Sequence, residues 1–411
     1  ALVARPVEAP IPTILVADTI RAYGDLAAAY REHAGITVIG ITGSVGKTTT
    51  KEMTACLLAR SFHTARTEGN HNNNLGLPMT ILDMPDDTEV AVLEMGMNHF
   101  GEMAYLTSIA RPDIAIITNI GTMHIEHLGS REGILQAKLE IFRGVPKNGV
   151  GVFNGDEPLL WNVRADGGHK KYYFGIENHA CDVFATDIQE LEDGMRFVVS
   201  GFGHRFELFV PVLGRHTVYN ALAVIGAGLT LGIPLSKIAD ALKTASGVKG
   251  RVEVVPTPGK PYTVLIDYSH TPDSLENVLK TVRGFCKGRV IAVFGCGGDR
   301  DRGKRPKMGR IAGQKADFVI VTSDNPRTED PEAIIADILP GLKETHTPYV
   351  VRPDRREAIA YAIENHCPGD VIILCGKGHE DYQIIGKTKV HMDEREIVAE
   401  ILDKRKREKE K

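Results

Sequence analysis

The chain alternates short, wholly apolar runs with longer segments whose apolar residues recur at helical spacing. Residues 36–41 (ITVIGI), 90–94 (VAVLE) and 114–120 (IAIITNI) lack polar alternation and are rich in β-branched side chains, the pattern of strands buried on both faces. The periodicity between them predicts helices over 18–33, 47–58, 132–142 and 214–232, with a short strand at 13–17 before the first. Runs around 151–154, 171–174 and 196–199 predict an antiparallel or mixed outer portion of the sheet. From residue 263 the alternation restarts, with strands at 263–267, 290–294, 318–322 and 371–374 and helices over 271–285 and from Pro331. The pattern predicts an α/β protein with a mostly parallel central domain over 35–248 and a Rossmann-like, doubly wound domain over 249–411. Val248-Lys249-Gly250-Arg251 reads as the hinge between them, and residues 1–34 as a connector.

One junction carries chemistry of its own. Between strand 36–41 and helix 47–58 stands Thr42-Gly43-Ser44-Val45-Gly46-Lys47-Thr48-Thr49, a glycine loop feeding a helix N-terminus. Such a junction aims several N–H groups and the positive end of the helix dipole at one point, which suits phosphate. Lys47 is expected to reach the β- and γ-phosphates and the Thr48 hydroxyl to sit on Mg²⁺. The loop is a shorter variant, because Ile41 stands where the usual P-loop pattern has its first glycine. Parallel strands put their functional loops at their carboxyl ends, so Glu94 and His124 are expected on the same rim, where they can hold metal. Lys138 falls on or near the buried face of helix 132–142, where from the residues alone a lysine usually reads as a snorkelling surface cation. The later loop GCGGDRDRGKRP lacks the G-x-G-x-x-G spacing and reads as too polar to open a packed helix, which argues against a nicotinamide cofactor.

Composition narrows the classes. Among 411 residues, 49 basic and 53 acidic side chains nearly balance, so no broad field for nucleic acid or membrane is expected. The charge run at 403–411 reads as a solvated helix end. Six scattered cysteines with no metal-ligand spacing suit reduced thiols in a cytoplasm. No run approaches the roughly 18 apolar residues of a membrane span. The chain begins at Ala1 and enters structure at once, as a piece of a longer protein would.

The motifs TGSVGKTTTKEM, GNHNNNLGLP, EMGMNHFGEM, TNIGTMHIEHLGS and AKLEIF resemble the central ATPase domain of the Mur ligases, most closely that of the ligase adding D-alanyl-D-alanine. GRVEVV, DYSHTPDSLENVL, VFGCGGDRDRGKRPKMG, TSDNPRTEDP and GKGHEDYQ resemble the C-terminal domain of the ligase adding meso-diaminopimelate. The family's N-terminal, UDP-gripping domain has no counterpart here, and residues 1–34 resemble its last edge and linker. The resemblance implies an ATP- and Mg²⁺-dependent enzyme that activates a carboxylate of a UDP-N-acetylmuramyl peptide as an acyl phosphate and joins it to an amine. It implies ATP on Gly43, Ser44, Val45, Gly46, Lys47, Thr48, Thr49, Asn220, Arg251 and Asp267, with Asn220 at the adenine, Asp267 at the ribose and Arg251 at the γ-phosphate. Metal is implied at Thr48, Glu94, His124 and Lys138, with Lys138 carbamoylated, and catalytic roles for Lys47, His124, Lys138 and Arg251. The amine is implied at Arg300, Asp324, Asn325, Arg327, Gly376 and Glu380, where two arginines can fork onto carboxylates and two acids can hold an ammonium. The leading expectation is meso-diaminopimelate addition by a cytoplasmic monomer with no nucleic-acid partner. D-alanyl-D-alanine addition is the alternative within the family, and an inactive nucleotide-binding scaffold the alternative outside it.

Overall fold

The computed structural model describes residues 1–121, 125–163, 168–191 and 193–409. The chain divides into two compact units, Ala1–Ser246 and Gly247–Lys411.

In the first unit a short parallel pair, β1 (Leu2–Val3) and β2 (Ile14–Leu15), precedes helix α1 (Thr19–Ala34). The Asp18 carboxylate starts this helix by accepting from the Ile20 and Arg21 N–H groups, and Gly35, in the left-handed region, ends it. There follow β3 (Thr37–Thr42), α2 (Lys47–Leu58), β4 (Thr64–Arg66), α3 (Gly76–Leu82), β5 (Val90–Glu94), α4 (Glu102–Ala110), β6 (Ile114–Ile117), α5 (Ile125–Leu128) and α6 (Arg131–Leu139). Next come β7 (Val150–Asn154), α7 (Pro158–Asn162), β8 (Lys170–Gly175), β9 (Val183–Glu190), β10 (Met195–Gly201), β11 (His204–Val210), α8 (Arg215–Thr230) and α9 (Leu235–Leu242).

Among the described residues nine of these strands form one sheet in the order β11-β10-β9-β8-β7-β6-β3-β5-β4, parallel from β4 to β9. Successive strand residues serve opposite faces. Ile39, Ile41, Val92 and Ile116 pack with α2, α8 and α9, while Val38, Leu93, Ala115 and Ile117 pack with α1, α3, α4 and α6. Both faces are covered, which is why the strand sequences show no polar alternation.

The outer portion of the sheet is mixed, one of the two expected forms: residues 151–154 and 171–174 continue the parallel body, because the stretch containing α7 crosses over and returns β8 beside β7 in the same direction, while β9, β10 and β11 pair antiparallel. Helix α3 begins at Gly76, where the Asn73 side chain accepts the N–H groups of Leu75 and Gly76. Helix 132–142 is α6 followed by a 3-10 turn, Glu140–Arg143, held as the Glu140 carboxylate turns to accept the N–H groups of Gly101 and Ala104 at the head of α4.

The second unit contains β12 (Glu253–Val255), β13 (Thr263–Asp267), α10 (Pro272–Phe285), β14 (Val290–Phe294), α11 (Lys304–Lys315), β15 (Phe318–Val321), α12 (Pro331–Lys343), β16 (Tyr349–Val351), α13 (Arg355–Glu364), β17 (Val371–Cys375), β18 (Tyr382–Ile385), β19 (Thr388–His391) and α14 (Glu394–Lys409). The main sheet runs β12-β13-β17-β14-β15-β16, parallel except for β12 at one edge. Helices α10, α11 and α12 cover one face, and α13 and α14 the other. Arg355 and Glu394, the first residues of α13 and α14, form a fully buried pair at 2.8 Å, and the same guanidinium donates to the carbonyls of Ser323 and Cys375. Contrary to expectation, the polar loop after β14 does open a packed helix: Arg305, in the first turn of α11, is buried with its charge met by Glu329 and Asp337. No helix among the described residues is long and apolar enough to cross a membrane.

Candidate functional site

In the first unit β6, β3 and β5 are neighbours, and their register sets Thr42 opposite Ile117 and Ile41 opposite Glu94, so three strands end at one rim. The glycine loop leaves β3 there. At Gly43, φ is 149° and a Cβ would lie 1.9 Å from Thr118 Oγ1, so no other residue fits. Thr118 and Asn119, directly after β6, fix the loop from beneath. Thr118 Oγ1 donates to the Val45 carbonyl at 2.6 Å, and Asn119 Oδ1 accepts the N–H groups of Ser44 and Val45, each at 2.9 Å. Gly46 caps α2, so Lys47, Thr48 and the buried Thr49 form its first turn, where N–H groups lack partners within the helix. Lys47 folds back over the loop, donating to the Gly43 carbonyl at 2.9 Å.

Around the loop opens a cleft of about 640 Å³, lined among others by Gly43, Ser44, Lys47, Asn72, Gly96, Phe100, Tyr105 and Lys138. Glu94, at the end of β5, is 3% exposed; Asn72, which lines the cleft, donates to its Oε1 at 2.8 Å, and Oε2 has no hydrogen-bond partner among the described residues. The Thr42 hydroxyl at the end of β3 is likewise buried and unpartnered. Lys138 does not snorkel: it is 4% exposed, and burial, helped by the Lys47 ammonium, holds its amine well below the ordinary lysine range. Asn220, on α8, lies against the loop at Gly46; its Oδ1 accepts from Thr50 Oγ1 at 3.2 Å and its Nδ2 is buried without a partner among the described residues. Thus Gly43 to Thr49, Glu94, Lys138 and Asn220 are gathered at one end of one sheet. His124 lies outside the described residues. Among those that are described, no three His, Cys, Asp or Glu side chains gather as a metal cage.

Arg251 and Asp267 belong to the second unit. The Arg251 guanidinium lies 5.3 Å from the centroid of the Tyr268 ring. Asp267 ends β13 and is buried; it accepts the Val252 N–H at 2.9 Å and the Ser269 hydroxyl, and burial raises its pKa.

The expected amine residues converge at the strand ends of this unit. Asn325 donates to Glu380 Oε2 at 3.0 Å, and Gly376, at φ 116°, leaves room for the Asp324 carboxylate, which a Cβ there would meet at 2.5 Å. Lys377, wholly buried, joins them: its ammonium donates to Asn325 Oδ1 at 2.7 Å and Glu380 Oε2 at 2.8 Å, with Asp324 at 3.8 Å. Arg327 donates to the Gly298 carbonyl at 2.8 Å and Arg300, exposed, to the Asp299 carbonyl at 3.0 Å; among the described residues neither enters an ion pair. Asn72, Thr118, Asn119 and Lys377 were not singled out from the sequence. The one available signal was position, since Asn119 and Lys377 each stand two residues past a strand end.

A phosphate-type loop at the carboxyl rim of a covered parallel sheet, beside a carboxylate oxygen unpartnered among the described residues and a buried amine of lowered pKa, defines a nucleotide-using α/β enzyme with a second, charged unit. Residues 41–228 match the Mur ligase middle domain, and residues 250–378 the Mur ligase glutamate ligase domain. A UDP-N-acetylmuramoyl-L-alanyl-D-glutamate–2,6-diaminopimelate ligase of Gloeobacter violaceus is 37% identical over 98% of this chain and 85% of its own length. The solved structure of MurF from Acinetobacter baumannii matches at a TM-score of 0.78 and 29% identity, over 98% of this chain and 84% of that one. MurF ligase from Thermotoga maritima in complex with ADP matches at 0.77 and 25% identity, over 98% and 89%. The chain belongs to the Mur ligase family.

Proposed function

We propose that the chain is an ATP-dependent ligase of cell-wall precursor synthesis that joins meso-diaminopimelate to the glutamyl carboxylate of UDP-N-acetylmuramoyl-L-alanyl-D-glutamate. The observation that carries the reading is the meeting, at one rim, of the phosphate loop, the unpartnered Glu94 oxygen and the buried Lys138 amine. A carboxylate oxygen buried without a donor is costly, and a cation relieves that cost. Glu94 and the Thr48 hydroxyl are hard oxygen donors, and Mg²⁺ is usually bound through one or two carboxylates plus substrate phosphates rather than an all-protein cage. The residues therefore fit Mg²⁺, with His124 as a further ligand. When bound, the ion neutralises charge on the phosphate oxygens. A lysine amine whose pKa is lowered gives up its proton more readily and can then add to carbon dioxide, losing a second proton as the N–C bond forms. Carbamoylation would thus turn Lys138 into an anionic oxygen ligand, which removes the conflict of a lysine beside a cation.

Residues 35–248 carry the phosphate loop and 249–411 the amine site, and 1–34 act as the linker. Lys47 and the N–H groups of the loop orient the triphosphate, with Asn220 at the base, Asp267 at the ribose and Arg251 at the γ-phosphate. The acceptor carboxylate attacks the γ-phosphorus and ADP leaves; the incoming amine attacks the acyl carbon, phosphate leaves, and the nitrogen loses a proton. Diaminopimelate, rather than D-alanyl-D-alanine, is favoured because the second unit offers both signs of charge: Arg300 and Arg327 for a far carboxylate, Asp324 and Glu380 for a far ammonium. The Gloeobacter violaceus relative, named for that amine, supports the same choice. The enzyme works as a cytoplasmic monomer without nucleic acid, in keeping with its balanced charge.

Phosphate release from ATP, measured with the acceptor and each amine in turn, tests this. Release with diaminopimelate alone is expected. Release with D-alanyl-D-alanine alone would reassign the amine, and no release with either, given the full-length chain and acceptor, would make it a binding protein.

A further inference from the structure

The segment after β14 carries Arg300, the segment after β15 carries Arg327, and one buried cation ties the two segments together. Arg305 is 0% exposed. Its Nη1 donates to Glu329 Oε2 at 3.0 Å and Asp337 Oδ2 at 2.9 Å, and its Nη2 to Glu329 Oε1 at 2.8 Å and the Gly297 carbonyl at 3.4 Å. Glu329 in turn accepts the Asp299 N–H at 2.5 Å and the Arg302 guanidinium at 2.9 Å. The Thr328 hydroxyl closes the same seam against Asp299 at 2.8 and 2.9 Å. Arg300 is therefore flanked on both sides by residues pinned to Glu329, two positions beyond Arg327.

We propose that Arg305 is a positioning residue that sets the spacing between Arg300 and Arg327, and thereby selects an amine whose far end carries a carboxylate. This rests on the reading of those two arginines as the carboxylate site. The geometry favours positioning over simple stability. A buried ion cluster is often no more stabilising than well-packed apolar residues, and this one also leaves Arg305 Nε buried without a partner among the described residues. A forked guanidinium can hold Glu329, Asp337 and Gly297 at fixed angles at once; an ammonium keeps the charge but not the fork.

The test uses the full chain, with Arg305→Lys and Glu329→Gln loosening the seam from either side and Arg327→Ala as the control. Steady-state phosphate release should give a KM for diaminopimelate raised roughly tenfold or more in both seam variants, as misplacement of a binding group costs. The KM for ATP should stay near that of the parent in both variants, and the melting temperature should stay near the parent's in Arg305→Lys, which keeps the buried charge. L-Lysine, which lacks the far carboxylate, should compete better against diaminopimelate than it does in the parent. An unchanged KM for diaminopimelate in both seam variants, with Arg327→Ala still raising it, overturns the positioning role and leaves the site reading standing. If Arg327→Ala itself changes nothing, the site reading falls and takes this inference with it. A parallel loss of ATP affinity and melting temperature would make Arg305 merely structural.

Discussion

At the scale of single residues the molecule stakes its chemistry on buried polar groups. Lys138 is the sharpest case, since its pKa is held well below the ordinary lysine range by burial first and by Lys47 second. Lys138→Met should lower kcat by about a hundredfold or more, the usual loss for one preorganised electrostatic group. In metal-free buffer depleted of carbon dioxide the same change should stabilise the ligand-free chain. Between its depressed folded pKa and the ordinary 10.5, the unfolded chain binds a proton that the folded chain does not, so folding is penalised there and stability rises with pH. The advantage of the Met variant over the parent, followed by urea unfolding, should therefore be present at neutral pH and shrink as pH climbs toward 10.5. An advantage that widened with pH would contradict the assignment. Lys138, Arg305 and Lys377 were the least legible residues, because a cation in a sequence reads as surface until its neighbours are known. The neighbours of Arg305 lie 24 and 32 positions away and those of Lys377 include Asn325, 52 positions away.

At the scale of elements the reading was strongest where one face of the argument sufficed. Helix 47–58 and strands 90–94, 263–267 and 290–294 were legible to the residue, because double burial leaves unbroken apolar runs and capping residues mark the ends. The meander of β9, β10 and β11 was only partly visible; its strands alternate buried and exposed positions weakly, so Arg196 to Val199 stood out while its neighbours did not. The Arg355–Glu394 pair shows what joins elements once they form, since one guanidinium meets α14 and the ends of β15 and β17. Arg355→Met alone should cost about 3–5 kcal/mol by leaving Glu394 buried and unpaired, and adding Glu394→Leu should recover most of it. Urea unfolding of both variants checks this; a single-variant cost under about 1 kcal/mol would mean that water reaches the pair.

At the scale of the whole molecule, no buried apolar cluster among the described residues draws on both units. Calorimetry of the full chain should therefore resolve two unfolding transitions. ATP with Mg²⁺ at about a hundred times its Kd should stabilise what it binds by about 2.7 kcal/mol, moving chiefly the transition of the unit bearing the phosphate loop. A single transition that shifts as a block would refute independent cores. Halves that each shelter their own oily interior can be exchanged during descent without either one coming apart. A lineage could in this way keep its engine for burning nucleotide and take a new receptacle for the amino acid, so wall chemistry could change by trading a module rather than by remaking an enzyme.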